Sequence, residues 1–166
     1  FGDRCSYAIC PIGQERGLTF NAQSLIVSQI FLALFSLCTG GVIYIAGRAT
    51  TLLMFDWFGS LGLLNIIGFI RYWLDGVIRF APDFVLYSLP TGLWVFSFVC
   101  ILSVIWSDND NVFLAYACTC CSIIVALECF QLSIVPGTFD VKDLAANIGG
   151  FICAMEVRNA FRKRTT

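Results

Sequence analysis

Long stretches without a charged side chain alternate with short charged clusters along this chain, and the stretches have helical length. Gly17 to Gly47 is 31 residues without Lys, Arg, Asp or Glu, and Phe84 to Ser107 is another 24. A bilayer-spanning helix needs about 20 predominantly apolar residues. The pattern predicts an all-α, polytopic transmembrane helical bundle with four spans, at about 24–46, 85–106, 112–134 and 144–161. The second span carries Pro90 in its early turns, where a kink is expected and tolerated in a membrane helix. The third contains a single charge, Glu128, and Val135-Pro136-Gly137-Thr138 breaks it. The fourth is uncharged only from Leu144 to Met155. It reaches membrane length if Glu156 faces protein and Arg158 snorkels toward water.

Between the first two spans the pattern changes. Trp57 to Ile70 is uncharged for only 14 residues, lies between Asp56 and Arg71, and contains Gly59, Gly62, Asn65 and Gly68. Segments of that length lie in the interface or re-enter more often than they cross. Aromatic residues at its edges, Phe55, Trp57 and Phe58 before and Tyr72 and Trp73 after, suit the headgroup level. An interfacial or re-entrant segment is therefore expected at about 52–73. The whole chain, 1–166, reads as one membrane domain with a polar N-terminal segment (1–23) and a basic tail (157–166).

Four spans put both ends of the chain on one side. That side carries Arg4, Arg16, Arg158, Arg162, Lys163 and Arg164, against Arg48, Arg71, Arg79 and Lys142 on the other. The positive-inside rule then places both termini, the C-terminus included, in the cytoplasm. If Trp57–Ile70 crossed, the two counts would be equal and would give no orientation.

Composition agrees: 58% of residues are hydrophobic and 13% charged, where a soluble domain has about 25% charged. The absence of His removes imidazole catalysis and His-ligated metals from this chain, and no metal or other cofactor is implied. A formal net charge of -1 gives no footprint for nucleic acid. Neither phosphate-cradling glycine motif occurs, and no N-x-S/T sequon is present. The first residue is Phe1, which leaves room for an upstream signal segment. Seven of the nine cysteines (Cys38, Cys100, Cys118, Cys120, Cys121, Cys129 and Cys153) fall in the spans, where Cys serves as a small apolar residue. Cys118 and Cys121 share a helix face but make a weak zinc site. Cys5 and Cys10 precede the first span, and a disulfide between them would reverse the topology. Trp57, Trp73, Trp94 and Trp106 read as interface anchors.

Polar groups inside a membrane are expensive, so their positions carry the functional signal. Glu128 and Gln131 share one face of the third span, with Cys121 and Ile124 upstream on the same stripe. The fourth opens at Asp140, an N-cap candidate, with Asp143 three residues later. Asp143, Asn147, Gly150 and Ala154 follow one narrow stripe. A short hairpin joins the two spans, so Glu128, Gln131, Asp140, Asp143 and Asn147 are expected to cluster near the outer membrane surface. Three carboxylates in a buried cluster call for compensation: a proton on one, pairing with Lys142, or a bound cation or cationic head group. Asp140 and Asp143 also serve as plain helix-capping residues, and Asn147 as interhelical glue. Glu128 has no such structural explanation.

Glu128-x-x-Gln131, then Gly137-Thr-Phe-Asp140-x-x-Asp143, then Asn147-x-x-Gly150, resembles the VanZ-like family, named for a teicoplanin-resistance membrane protein. The family's pattern is similar to E-x-x-Q followed by R-x-x-D-x-x-D-x-x-x-N-x-x-G-x-x-x-G at the end of one membrane helix and the start of the next. The resemblance covers residues 128–154. Leu89-Pro90-Thr91-Gly92-Leu93-Trp94 and the stretch 52–57 look like a subgroup with the same hairpin. Two departures matter: the family's Arg falls on Gly137, and its last Gly falls on Ala154. Loss of that guanidinium puts anion recognition in doubt, unless Arg71 or Arg79 substitutes.

The resemblance implies a cell-envelope protein linked to glycopeptide-antibiotic resistance. As an enzyme it would use Glu128 to handle a proton, Asp140 and Asp143 as charge partners, and Gln131 and Asn147 to orient an amphiphilic envelope substrate, beside Gly150. The other reading is a non-catalytic accessory or scaffold subunit whose partners are membrane lipids and other integral membrane subunits.

Overall fold

The structure is a computed structural model describing residues 12–130 and 140–163. Its elements are α1 (Ile12–Gly47), α2 (Leu53–Ser60), α3 (Leu64–Ile78), a π-helical segment (Phe84–Ser88), α4 (Leu89–Ile105), α5 (Asp110–Phe130) and α6 (Val141–Arg162). Three segments are long and apolar enough to cross a membrane: Gln23–Gly47 within α1, Phe84–Ile105 and Asp110–Phe130. They coincide with the first three expected spans. α6 has comparable length, 22 residues, without comparable apolar character. In the stretch between α1 and α4 the helices are short, 8 and 15 residues for α2 and α3. At about 1.5 Å per residue neither spans a hydrocarbon core roughly 30 Å thick.

α4 is the central helix, packing on α1, α5 and α6. Its core-facing residues Val95, Val99 and Cys100 meet Ala33 of α1, Phe113 and Ala117 of α5, and Ala154 of α6. Small residues dominate because lipid tails are as apolar as Leu, so helices associate through close packing and hydrogen bonds rather than through the hydrophobic effect. α1 and α4 run antiparallel along a polar seam. Gln29 Nε2 donates to Ser103 Oγ (3.3 Å), Ser97 Oγ to the Ala33 carbonyl (2.8 Å), and Ser36 Oγ to the Leu93 carbonyl (3.1 Å). Further along, the Trp94 indole lies over Gly40, where an added Cβ would sit 2.8 Å from Nε1, and its ring packs on Tyr44 at 5.2 Å. Trp94 is thus a packing residue between two helices rather than the interface anchor expected of it.

α4 and α6 run parallel and cross at very short range. A Cβ built on Gly92 would lie 2.5 Å from the Ala146 carbonyl oxygen, and one on Gly150 would collide with the Gly92 carbonyl. Just before this crossing the helix widens: the Leu89 N–H donates to the Phe84 carbonyl, five residues back. Pro90 explains the widening. In a regular helix its ring would strike the carbonyl four residues earlier, and a π-turn relieves that contact. The expected kink is therefore a local widening.

Contacts along the helices give the bundle two ends. At one end lie Gln29, Ser103, Asp110 and Arg158. At the other lie Arg48, Ser88, Glu128 and Asp143, together with α3, which Arg71 ties to the end of α1 through the Ile45 carbonyl (2.9 Å) and the Arg48 carbonyl.

Candidate functional site

The α5 face toward the bundle is the stripe Phe113, Ala117, Cys121, Ile124 and Glu128, each roughly one helical turn after the last. The stripe is apolar until Glu128, which is half-buried. On α6 the matching stripe is Asp143, Asn147, Gly150 and Ala154, with Asn147 2% and Ala154 0% exposed. Both stripes are the ones their helical spacing predicts. Because α5 and α6 are antiparallel, Glu128 comes beside the start of α6, where the charges of Asp143 and Asp140 act on its carboxylate.

Asp140 is the α6 N-cap. Its backbone is extended, and its Oδ1 accepts the Lys142 N–H at 2.8 Å. The capping reading of Asp140 is therefore correct, and its carboxylate also belongs to the acidic end. Asp143 and Asn147 do something else. Asp143 Oδ1, Asn147 Oδ1 and Glu128 Oε2 are buried oxygens without a hydrogen-bond partner among the described residues. An unsatisfied buried polar group costs about 1–3 kcal/mol, more when charged. Three such acceptors meet at one helix junction, and at the same end of the bundle Arg48 Nε is a buried donor that also has no partner among the described residues.

Among the described residues no cation pairs with Glu128, Asp140 or Asp143. Lys142 is exposed and makes no ion pair with them. Nor do Arg71 and Arg79, at α3 and its C-cap, bring a guanidinium to these carboxylates. Arg71 holds carbonyls of α1 and lies 5.1 Å from the Phe55 ring centroid, while Arg79 pairs with Asp75 at 2.7 Å. Gly150 serves the α4–α6 crossing rather than reaching the carboxylates. Gln131, Gly137, Cys5 and Cys10 lie outside the described residues. The seven other cysteines are free, and no three His, Cys, Asp or Glu side chains among the described residues converge as a metal site.

Two expectations for α6 are reversed at the opposite end. Glu156 is exposed and lines an open hollow with Asn159, Arg162 and Lys163, whereas Arg158 is 5% exposed instead of snorkelling. The reason is the set of acceptors at the α4–α5 corner. Arg158 donates to the Ser103 carbonyl (3.2 Å), the Trp106 carbonyl (3.4 Å) and Asp110 Oδ1 (2.7 Å), with its guanidinium 3.7 Å from the Phe113 ring centroid. Arg162 takes the other oxygen of Asp110. Arg158 continues the Asp143–Ala154 stripe by another turn, a signal present in the spacing.

Ser88 was not flagged by sequence reasoning. It ends the π-helical segment, is 1% exposed, and its Oγ has no partner. It lies one turn before Gly92 on the same face of the helix, and the π-helical segment touches α6. Since Gly92 meets Ala146 and Gly150, Ser88 stands level with the Asp143–Asn147 turn. A serine in an apolar span gives no sequence signal of its own; only the register with α6 singles it out.

Chemically, the arrangement presents unfilled hydrogen-bond acceptors and negative charge at one helix junction. No family model matches the chain, and neither a curated protein nor a solved structure resembles it significantly.

Proposed function

We propose that this is a VanZ-like protein of the bacterial inner membrane. In this reading it crosses four times, with α6 as the fourth span and the C-terminus in the cytoplasm. Its carboxylate/amide cluster binds the polar head of an amphiphilic envelope component at the outer surface. The observation that carries this reading is the set of three buried, partnerless acceptor oxygens on Glu128, Asp143 and Asn147. An intramembrane polar group left without a partner points by default to a functional site. α6 bears its polar residues across a bilayer by burying Asn147 and Arg158 against α4 and α5. The short helices α2 and α3, with Trp57, Phe69, Tyr72 and Trp73 exposed, lie along the interface.

The test is native mass spectrometry of the purified chain with its co-purifying amphiphiles. Glu128→Gln and Asp143→Asn should each lower occupancy about tenfold, the loss of roughly one charge-assisted hydrogen bond. Unchanged occupancy in both variants would rule out the site. The exposed aromatic face of α2 and α3 favours a second reading, an accessory subunit docked on partner helices. A stoichiometric membrane partner that survives mild detergent and is released by Tyr72→Ala with Trp73→Ala would establish it.

A further inference from the structure

We propose that the ligand of this site is a lipid with a primary ammonium head, admitted sideways past the second half of α5, and that Ser88 is part of its binding site. The proposal rests on the amphiphile-binding reading above and adds the head-group class, the route and a residue. The head-group class follows from the sign and type of the vacant groups. Glu128 Oε2, Asp143 Oδ1 and Asn147 Oδ1 are all acceptors, and two of them are carboxylate oxygens. A primary ammonium supplies three N–H donors and a positive charge in one compact group. A quaternary ammonium has charge without donors, and a glycerol head has donors without charge.

Among the described residues no cation pairs with these carboxylates, and the one donor left vacant at this end, Arg48 Nε, belongs to a guanidinium already engaged elsewhere. Arg48 donates to the Tyr87 carbonyl (3.1 Å) and lies over the Tyr44 and Tyr87 rings, Arg71 is bound to α1, Arg79 pairs with Asp75, and Lys142 faces outward. Ser88 is independent of the acidic residues and comes from another helix. It is almost fully enclosed and its hydroxyl is unpartnered, and its place one turn before the Gly92–Ala146 contact sets it against the first turns of α6. A hydroxyl both donates and accepts, so it can meet either the ammonium or the oxygen next to it in the head group.

The route follows from how α5 is held. Its two fully buried residues, Phe113 and Ala117, lie in its first half, beside the Arg158–Asp110 corner. From Cys118 to Phe130 no residue is fully buried, although Ile124 still touches the core. Among the described residues the helix is enclosed in its first half and more exposed toward Glu128. Acyl chains can lie along that exposed side while the head reaches the carboxylates.

The full chain in detergent, titrated with three lipids of identical acyl chains, provides the test. Phosphatidylethanolamine should bind about tenfold tighter than phosphatidylglycerol, with phosphatidylcholine between them, one charge-assisted hydrogen bond separating the extremes. Ser88→Ala should weaken phosphatidylethanolamine binding several-fold at unchanged helix content; unchanged affinity would remove Ser88 from the site. Equal or tighter binding of phosphatidylglycerol that still depends on Glu128 would overturn the ammonium proposal and leave the amphiphile reading standing. Absence of any Glu128-dependent binding would overturn both. Val125→Trp, on the half-buried flank beside Glu128, should slow lipid uptake, while Leu114→Trp in the enclosed half should not. Equal rates would reject the lateral route.

Discussion

A methyl group added at Gly150 tests the α4–α6 crossing on which the site is built. A Cβ there collides with the Gly92 carbonyl, and the reciprocal Cβ on Gly92 stops 2.5 Å from the Ala146 oxygen, where ordinary contact begins at 3.4 Å. The helices would have to part locally by roughly an ångström, and forcing extra carbon into a packed core costs about 1–3 kcal/mol. Ala also favours helix over Gly by about 0.8–1 kcal/mol, which offsets part of that loss. Gly149 is the control. It is the preceding residue of the same helix, and a Cβ there meets nothing within 4 Å, so Gly149→Ala shows the propensity gain alone. Gly150→Ala should therefore be less stable than Gly149→Ala by about 1–3 kcal/mol. The measurement is reversible unfolding of both variants in one detergent, with helix content followed by circular dichroism. Equal stability of the two variants would refute the close crossing and, with it, the register that brings Ser88 level with Asn147.

Two more outcomes follow from the ends of α6. Arg158→Met keeps the aliphatic bulk but loses a buried guanidinium and its three acceptors, at a cost of about 2–3 kcal/mol. Arg162→Ala, whose side chain is 56% exposed, should cost less than about 1 kcal/mol in the same unfolding assay, and the opposite ranking would reject Arg158 as the corner's anchor. At the other end, Asp140→Ala should remove about 1 kcal/mol of stability through loss of the cap on the Lys142 N–H, and Asp140→Ser should restore most of it. If neither changes amide exchange in the first turn of α6, the cap does not hold that turn.

Hydrophobic runs made the three apolar crossings legible from sequence, because a bilayer demands continuous apolar length and little else does. Helical spacing did the same for Asp143, Asn147, Gly150 and Ala154, whose common face follows from 3.6 residues per turn regardless of neighbours. Partnership was not legible. Arg158 lies on that same face, but its burial depends on carbonyls of Ser103 and Trp106 exposed at the end of α4, which no local pattern in α6 records. The seam Gln29–Ala33–Ser36–Gly40 is spaced like a packing face, but its pairing with Ser103, Ser97 and Leu93 is a tertiary fact. Ser88 depends on one still further removed, a π-turn induced by Pro90 and a helix that arrives more than fifty residues later.

At 36 residues, α1 is about 54 Å long, well beyond the roughly 30 Å of a hydrocarbon core. The turns at residues 12–22 continue the helix beyond Gln23, on the side of the bundle that holds Arg158 and Asp110. A rod that is continuous with the Gln29–Gly40 seam is a mechanical lever. Sideways force on its first turns becomes tilt of α1 against α4, felt at Gly40 and Gly47 close to the acidic end of the bundle.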